Sequence, residues 1–278
     1  MSTSPSFRLN DLPVELQREI FTTAALTDPS SALRLALVAR HVNAWTQPLI
    51  YDTVTLGSDD TALFLRTLNS RPREFFALYV KRLCLSVSVS ADDAVCILSV
   101  CSGVVHLALW IDYLGAFPDR SVSPLVSHLH LLSLSMELKH FMNLCLAPVN
   151  PHDSWWRSLT HLDIIFWTNE ISPIIPGLDR LVSLTHLALR PREMLAEESL
   201  ACIFSVCRRL QVLVVLLDEF DLMLDPVPFA DRRVVFMPYP DVVQDWEAPS
   251  RGLPDTWSRA EELIRGHERI GNQPPASI

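Results

Sequence analysis

The sequence predicts an α/β chain: a short helical module at the amino end, then an irregular solenoid of strands and return helices, then a carboxy-terminal cap. Three observations carry this. The pattern apolar-x-x-Leu-x-apolar recurs between residues 80 and 215. Stretches with helical periodicity fall between its copies. The first fifty residues hold no copy, but space their apolar positions three and four apart, as one face of a helix requires. The chain divides accordingly into a helical module at 8–56, the solenoid at 57–217, a cap strand and helix at 218–270, and a tail at 271–278 expected to lack fixed structure.

In the amino module, Asp11-Leu12-Pro13 reads as a helix start, with proline in the first turn where a missing N–H costs nothing. Leu12, Leu16, Ile20 and Ala24 then form one apolar stripe. Asp28-Pro29-Ser30-Ser31 is a turn and a cap. Leu35, Val38, Val42 and Trp45 share a second helical face, and Pro48 is expected to stop that helix. Tyr51 to Leu56 alternates as a strand, and Asp59 to Leu68 reads as another helix. Short helices with apolar stripes and little core between them complete their packing against a partner.

These residues resemble an F-box. The likeness rests on Leu12-Pro13-Val14-Glu15-Leu16, Ile20-Phe21, Ala32 to Val38, Trp45 and Pro48-Leu49-Ile50-Tyr51. It is nearest to the F-box-like domain common in mushroom-forming fungi. One departure is that Val38-Ala39-Arg40-His41 stands where many F-boxes place Val-Cys closely followed by Trp. The resemblance implies docking on the Skp-family adaptor of a cullin–RING ubiquitin ligase, through Leu12, Pro13, Leu16, Ile20, Leu35 and Val38.

The repeated pattern is read at Val80 to Leu85, Val104 to Leu109, Val126 to Leu131, Leu159 to Ile164, Leu184 to Leu189 and Leu210 to Val215. Central leucines fall at 83, 107, 129, 162, 187 and 213, giving steps of 24, 22, 33, 25 and 26. A period in the twenties around this core is similar to a leucine-rich repeat. Each copy would give one short strand with its leucines turned into the stack. Return helices are expected at Ala91 to Cys101, Glu137 to Leu146 and Glu193 to Arg208, and the step of 33 implies an insertion at Pro148 to Trp156. The ladder positions of regular repeats hold Ser88, Asp112, Leu134, Trp167, Arg192 and Asp218, so no Asn or Cys ladder exists and the solenoid should be irregular. Arg233 to Met237 reads as one more strand and Asp255 to Ile270 as a helix closing the end of the stack.

Alternate residues of each strand would face away from the core. One such row is Arg82, His106, His128, His161, His186 and Val212; stacked imidazoles there could bind metal or titrate together. A parallel row, Ser86, Trp110, Leu132, Ile165, Arg190 and Leu216, is apolar enough to hold a protein partner, centred on Trp110, Leu132 and Ile165, or to pack under a loop or the carboxy tail.

Bulk properties narrow the function classes. A net charge of −9 disfavours a phosphate backbone as partner, so no nucleic acid is expected. With 7 glycines and no P-loop, G-x-G-x-x-G, G-x-S-x-G or H-E-x-x-H, neither an enzyme nor a cofactor is expected. Six cysteines without a C-x-x-C pair or a secretory signal read as reduced and buried, placing the chain in the cytoplasm or nucleus. Ala94 to Ile111 carries no Asp, Glu, Lys or Arg, but splits into a helix ending near Cys101 and a strand at His106 to Leu109, so no membrane span is expected. The leading expectation is a substrate-recognition adaptor of a ubiquitin ligase, with an unnamed protein substrate on the repeats. Its alternatives are a repeat scaffold without a ubiquitin link, and a metal- or ligand-binding protein using the histidine row.

Overall fold

The computed structural model describes residues 9–111, 123–146, 155–166, 175–191, 195–223 and 231–271. The chain opens with α1 (Val14–Thr27), α2 (Pro29–Leu35) and α3 (Arg40–Asp52). Pro13 is extended and immediately precedes α1. Asp28 caps α2, its Oδ1 accepting from Ser30 N at 3.1 Å, with Pro29 at the first helical position. The single helical face expected from Leu35 to Trp45 is divided: the chain turns at 36–39, and extended Ala39 starts α3 afresh. Pro48 does not stop α3 but lies inside it. Its missing N–H forfeits one helical bond. Buried Val42 and Thr46, with Trp45 6.4 Å from Phe21, hold α3 against α1 and keep the helix whole.

Eight strands follow, all parallel and each beside its predecessor in sequence. They are β1 (Thr53–Leu56), β2 (Arg82–Leu85), β3 (His106–Leu109), β4 (Ser133–Glu137), β5 (His161–Ile165), β6 (His186–Arg190), β7 (Val212–Leu217) and β8 (Val234–Pro238). Parallel neighbours need a crossover between them. These crossovers carry α4 (Ser58–Ser70), α5 (Arg73–Tyr79), α6 (Ala91–Val100), α7 (Ser123–Val126), α8 (Leu138–Leu146), α9 (Trp155–Ser158), α10 (Glu197–Val206) and α11 (Glu219–Met223). After β8 come α12 (Val242–Glu247) and α13 (Thr256–Gly271). The uncharged stretch from Ala94 splits between α6 and β3 as its sequence indicated, and no helix among the described residues is long and apolar enough to cross a membrane. The tail from Asn272, and most of the expected insertion at Pro148 to Trp156, lie outside the described residues.

Register is the main correction. The third strand is Ser133–Glu137, not the segment ending at Leu131. Two overlapping stretches satisfy the pattern, and the second, Leu131-x-x-Leu134-x-Met136, forms the ladder: Leu134 pairs with Leu107 on one side and Leu162 on the other. Central leucines then fall at 83, 107, 134, 162, 187 and 213, and the steps become 24, 27, 28, 25 and 26. Val126, Leu129 and Leu131 are buried all the same, at the end of α7 and in the turn before β4.

A repeated physical unit lies behind this regularity. Three residues before each central leucine stands a buried apolar residue: Val80, Val104, Leu131, Leu159, Leu184 and Leu210. Just ahead of each of β2 to β6 one carbonyl accepts two successive amides of the next segment. Lys81 O takes Val105 and His106 N, Val105 O takes Leu132 and Ser133 N, and Leu132 O takes Thr160 and His161 N. Strands β2 to β6 each turn two residues into the core, such as Leu83 and Leu85, Leu134 and Met136, or Leu162 and Ile164. Each such side chain contributes about 1.5–3 kcal/mol on burial. Apolar faces of α6, α8 and α10 meet them. Gly103 marks a tight approach: a Cβ there would meet the Ala77 carbonyl oxygen at 1.8 Å, so no other residue fits without backbone movement.

The cap does not close the end of the sheet. It crosses the second face, with Trp246 packed on Cys84, Ala108 and Trp110. Ala260, Trp257 and Ile264 of α13 pack over Ala188, Val212, Val214 and Val235. The sheet is therefore covered on both sides. Among the cysteines, Cys84, Cys101, Cys145 and Cys207 are buried and free, whereas Cys96 is exposed and Cys202 half-buried, contrary to the expectation for all six.

Candidate functional site

Two places bring chemically informative residues together. The first is the outer side of α1. Leu16 and Ile20 are each 46 % exposed, and with Leu12 and Ala24 they line a shallow groove bordered by Thr27, Asp28 and Ser31. The side of α1 turned into the module is different: Phe21 and Ala25 are buried against α2 and α3, where Ala32, Val42 and Thr46 are also buried. The stripe read from the sequence is therefore the outward face. Of the six docking positions, Leu12, Leu16 and Ile20 converge. Pro13 is exposed at the start of α1 and Leu35 is half-buried at the end of α2. Val38 is exposed in the following turn, next to the more exposed Leu37. At the rim, the Ser30 hydroxyl hydrogen bond holds the Asp28 carboxyl below its usual range.

The second place lies between the sheet and its cap. Corrected register makes the first row Arg82, His106, Ser133, His161, His186 and Val212. His128 is not in it; it is exposed in the turn after α7. Ser133 therefore separates His106 from His161. His161 and His186 stack, with ring centroids 4.2 Å apart and planes 9° from parallel, and the Trp257 ring meets both at steep angles. The Nδ1 atoms of His161 and His186 bond to Thr160 and Thr185 hydroxyls, and His186 Nε2 lies 3.1 Å from Glu261 Oε1. Burial pushes His106 down to about 4, with Arg82 acting in the same direction. Burial, then His186, pushes His161 down to about 4 as well. Burial also lowers His186, against the opposing pull of Glu261. The His106 and His161 rings are thus held neutral at neutral pH. Among the described residues no three His, Cys, Asp or Glu side chains converge as metal ligands.

The partner-binding row is also rearranged. Trp110 is only 7 % exposed, because Trp246 sits 6.4 Å from it. Ile165 packs on the same cluster. Leu132 is exposed but precedes β4, and the row position assigned to it belongs to Glu137. Trp110, Leu132 and Ile165 therefore do not form an open surface while the cap is seated. Beneath the cap a charged relay has formed instead. Trp110 Nε1 donates to Ser135 Oγ at 2.8 Å, and Ser135 donates to Asp163 at 2.7 Å. Arg190 then grips Asp163 through two bonds of 3.0 and 2.8 Å. Arg259 binds Asp245 at 2.6 Å, and burial raises the Asp245 carboxyl. Arg82 donates to the Trp246 carbonyl and lies 5.0 Å over its ring. Its own Nε and the Trp246 Nε1 are enclosed with no hydrogen-bond partner among the described residues, an arrangement the cation–π contact offsets.

Trp246 and Trp257 pack on the outward face of the sheet, a contact not anticipated from the sequence. The available signal was the middle outward row, Cys84, Ala108, Ser135, Asp163, Ala188 and Val214: it is too small and too apolar for a sheet face left in water. No protein-family model matches the chain, and no curated protein matches it at a significant level.

Proposed function

We propose that this chain is a substrate-recognition subunit. Its amino-terminal helices form an F-box-like module that seats on a Skp-family adaptor of a cullin–RING ubiquitin ligase, and its leucine-rich-repeat-like solenoid holds a protein substrate. One observation carries the reading: the Leu12, Leu16 and Ile20 stripe faces outward while Phe21, Ala25 and Val42 do the internal packing. A helical cap serving only to shield the sheet would turn its most regular apolar stripe inward. An apolar helix face left in water is the feature that helix-in-groove recognition uses. With Trp110 and Ile165 beneath the cap, the substrate surface has to be sought elsewhere on the repeat region.

The test is binding of the purified full chain to a Skp-family adaptor, beside a Leu16→Asp, Ile20→Asp variant. Both side chains are nearly half exposed, so the variant should keep the parent's circular dichroism and melting curve. Binding by the parent and its loss in the folded variant is the expected result. A folded parent that ignores the adaptor sinks the proposal, as does a variant that binds equally well.

A further inference from the structure

The cavity under the cap has a volume of about 290 Å³ and arises for a simple reason. Central β4 presents two small outward residues, Ser133 between His106 and His161 and Ser135 between Ala108 and Asp163. Small side chains at the middle of the sheet leave a space that neither cap helix fills. Trp110 and Trp246 wall one side, Trp257 the other, and His106 and His161 flank Ser133. The space equals about ten waters at ~30 Å³ each, room for one or two fused rings.

The ionised groups around it already have partners. Asp163 holds Arg190, Asp245 holds Arg259, and Glu261 meets His186. Asp255 accepts from Ser258 N and Oγ, and Arg82 is bonded to the Trp246 carbonyl. What remains is uncharged. His106, Ser133 and Trp257 line the cavity, and the side chains of these three make no hydrogen bond among the described residues. A neutral imidazole offers one donor and one acceptor, a hydroxyl offers both, and an indole offers a donor. An anion entering here would face Asp163, Asp245, Asp255 and Glu261. A cation would lie beside Arg82 and Arg190.

We propose that this cavity binds a small, uncharged, flat nitrogen heteroaromatic, seated among Trp110, Trp246 and Trp257 and hydrogen-bonded by His106, Ser133 and Trp257. Aromatic walls supply dispersion and edge-to-face contacts to a flat ring. A few dual-role polar groups fix its orientation, as in most small-molecule pockets. The site is independent of adaptor docking, since it lies wholly on the sheet and its cap.

The experiment titrates the full chain near neutral pH with benzimidazole and with adenine, and in parallel with benzoate and choline as charged probes of similar or smaller size. Calorimetry reads binding, and two-dimensional NMR of the tryptophan indole N–H groups reads location. Benzimidazole or adenine should bind and shift the resonances of Trp110, Trp246 and Trp257, with the charged probes silent. Ser133→Trp should fill the space and abolish binding; if it impairs folding, the smaller Ser133→Leu should still weaken binding by roughly tenfold or more. Three outcomes each overturn the proposal: no heat or shift from either heteroaromatic at millimolar concentration, equal or stronger binding of benzoate or choline, or shifts confined to tryptophans away from the cap.

Discussion

In α1, Leu16 and Ile20 stand nearly half exposed, whereas the central leucines of β2 to β7 are sealed at 0 %. Both sets recur at regular spacing, and both look equally apolar in the sequence. The difference is in what lies opposite. A strand between two parallel neighbours has both faces covered here, one by the crossover helices and one by the cap. The amino module is three short helices packed on one another, so of its apolar residues only Phe21, Ala25, Ala32 and Val42 are buried. Periodicity reports that a helix or strand has an apolar face. It does not report whether the chain supplies the other half of the contact.

The contrast can be broken most forcefully at the buried pair. Asp163→Ala leaves the buried Arg190 guanidinium without its carboxylate and should cost about 3–5 kcal/mol, measured by urea unfolding. Asp163→Leu with Arg190→Met should recover most of that; a double variant as unstable as the single would show that packing, not charge, set the cost. Leu162→Ala should cost about 2–5 kcal/mol, whereas Leu16→Ala should change stability by less than about 0.5 kcal/mol. Equal losses at the two leucines would erase the distinction between the regions.

Acid should separate the regions in the same sense. His106 and His161 titrate near 4 when folded and near 6.5 when unfolded. The unfolded chain therefore binds more protons between those values, and stability falls as pH drops from about 6.5 towards 4. Partial exposure reduces the full linkage, leaving on the order of 1–2 kcal/mol for each ring. A His106→Gln, His161→Gln variant should flatten this slope, and an unchanged slope would assign the acid sensitivity to other groups. Trp246→Ala should cost about 2–3 kcal/mol, less than a fully satisfied core tryptophan, because it also removes an unpartnered N–H. Its clearer signature should be faster proteolysis between residues 239 and 255, with the sheet left intact.

Much of the sheet was legible. Each central leucine with an apolar residue three before it is a local signal, and β2, β3, β5, β6 and β7 fall where it lies. It failed at β4 because Val126-x-x-Leu129-x-Leu131 is as good a local match as Leu131-x-x-Leu134-x-Met136. Only pairing with Leu107 and Leu162 decides between them. That slip carried His128 and Leu132 into rows where Ser133 and Glu137 stand. Pro48 misled for a similar reason, since its cost to α3 is a local quantity and the packing of Val42 and Thr46 is not. The relay of Trp110, Ser135, Asp163 and Arg190 spans four strands and has no local signature at all.

The cap has one more consequence. It leaves the sheet at β8, yet Trp246 reaches back to Arg82 on β2, six strand spacings away, or roughly 29 Å at about 4.8 Å each. Arrays built by adding strands in sequence order ordinarily tolerate gain or loss of a unit. Here the carboxy-terminal segment is bonded back to β2, so gain or loss of a strand would move Trp246 off Arg82, Cys84 and Trp110. The segment ties the late strands of the sheet to the early ones.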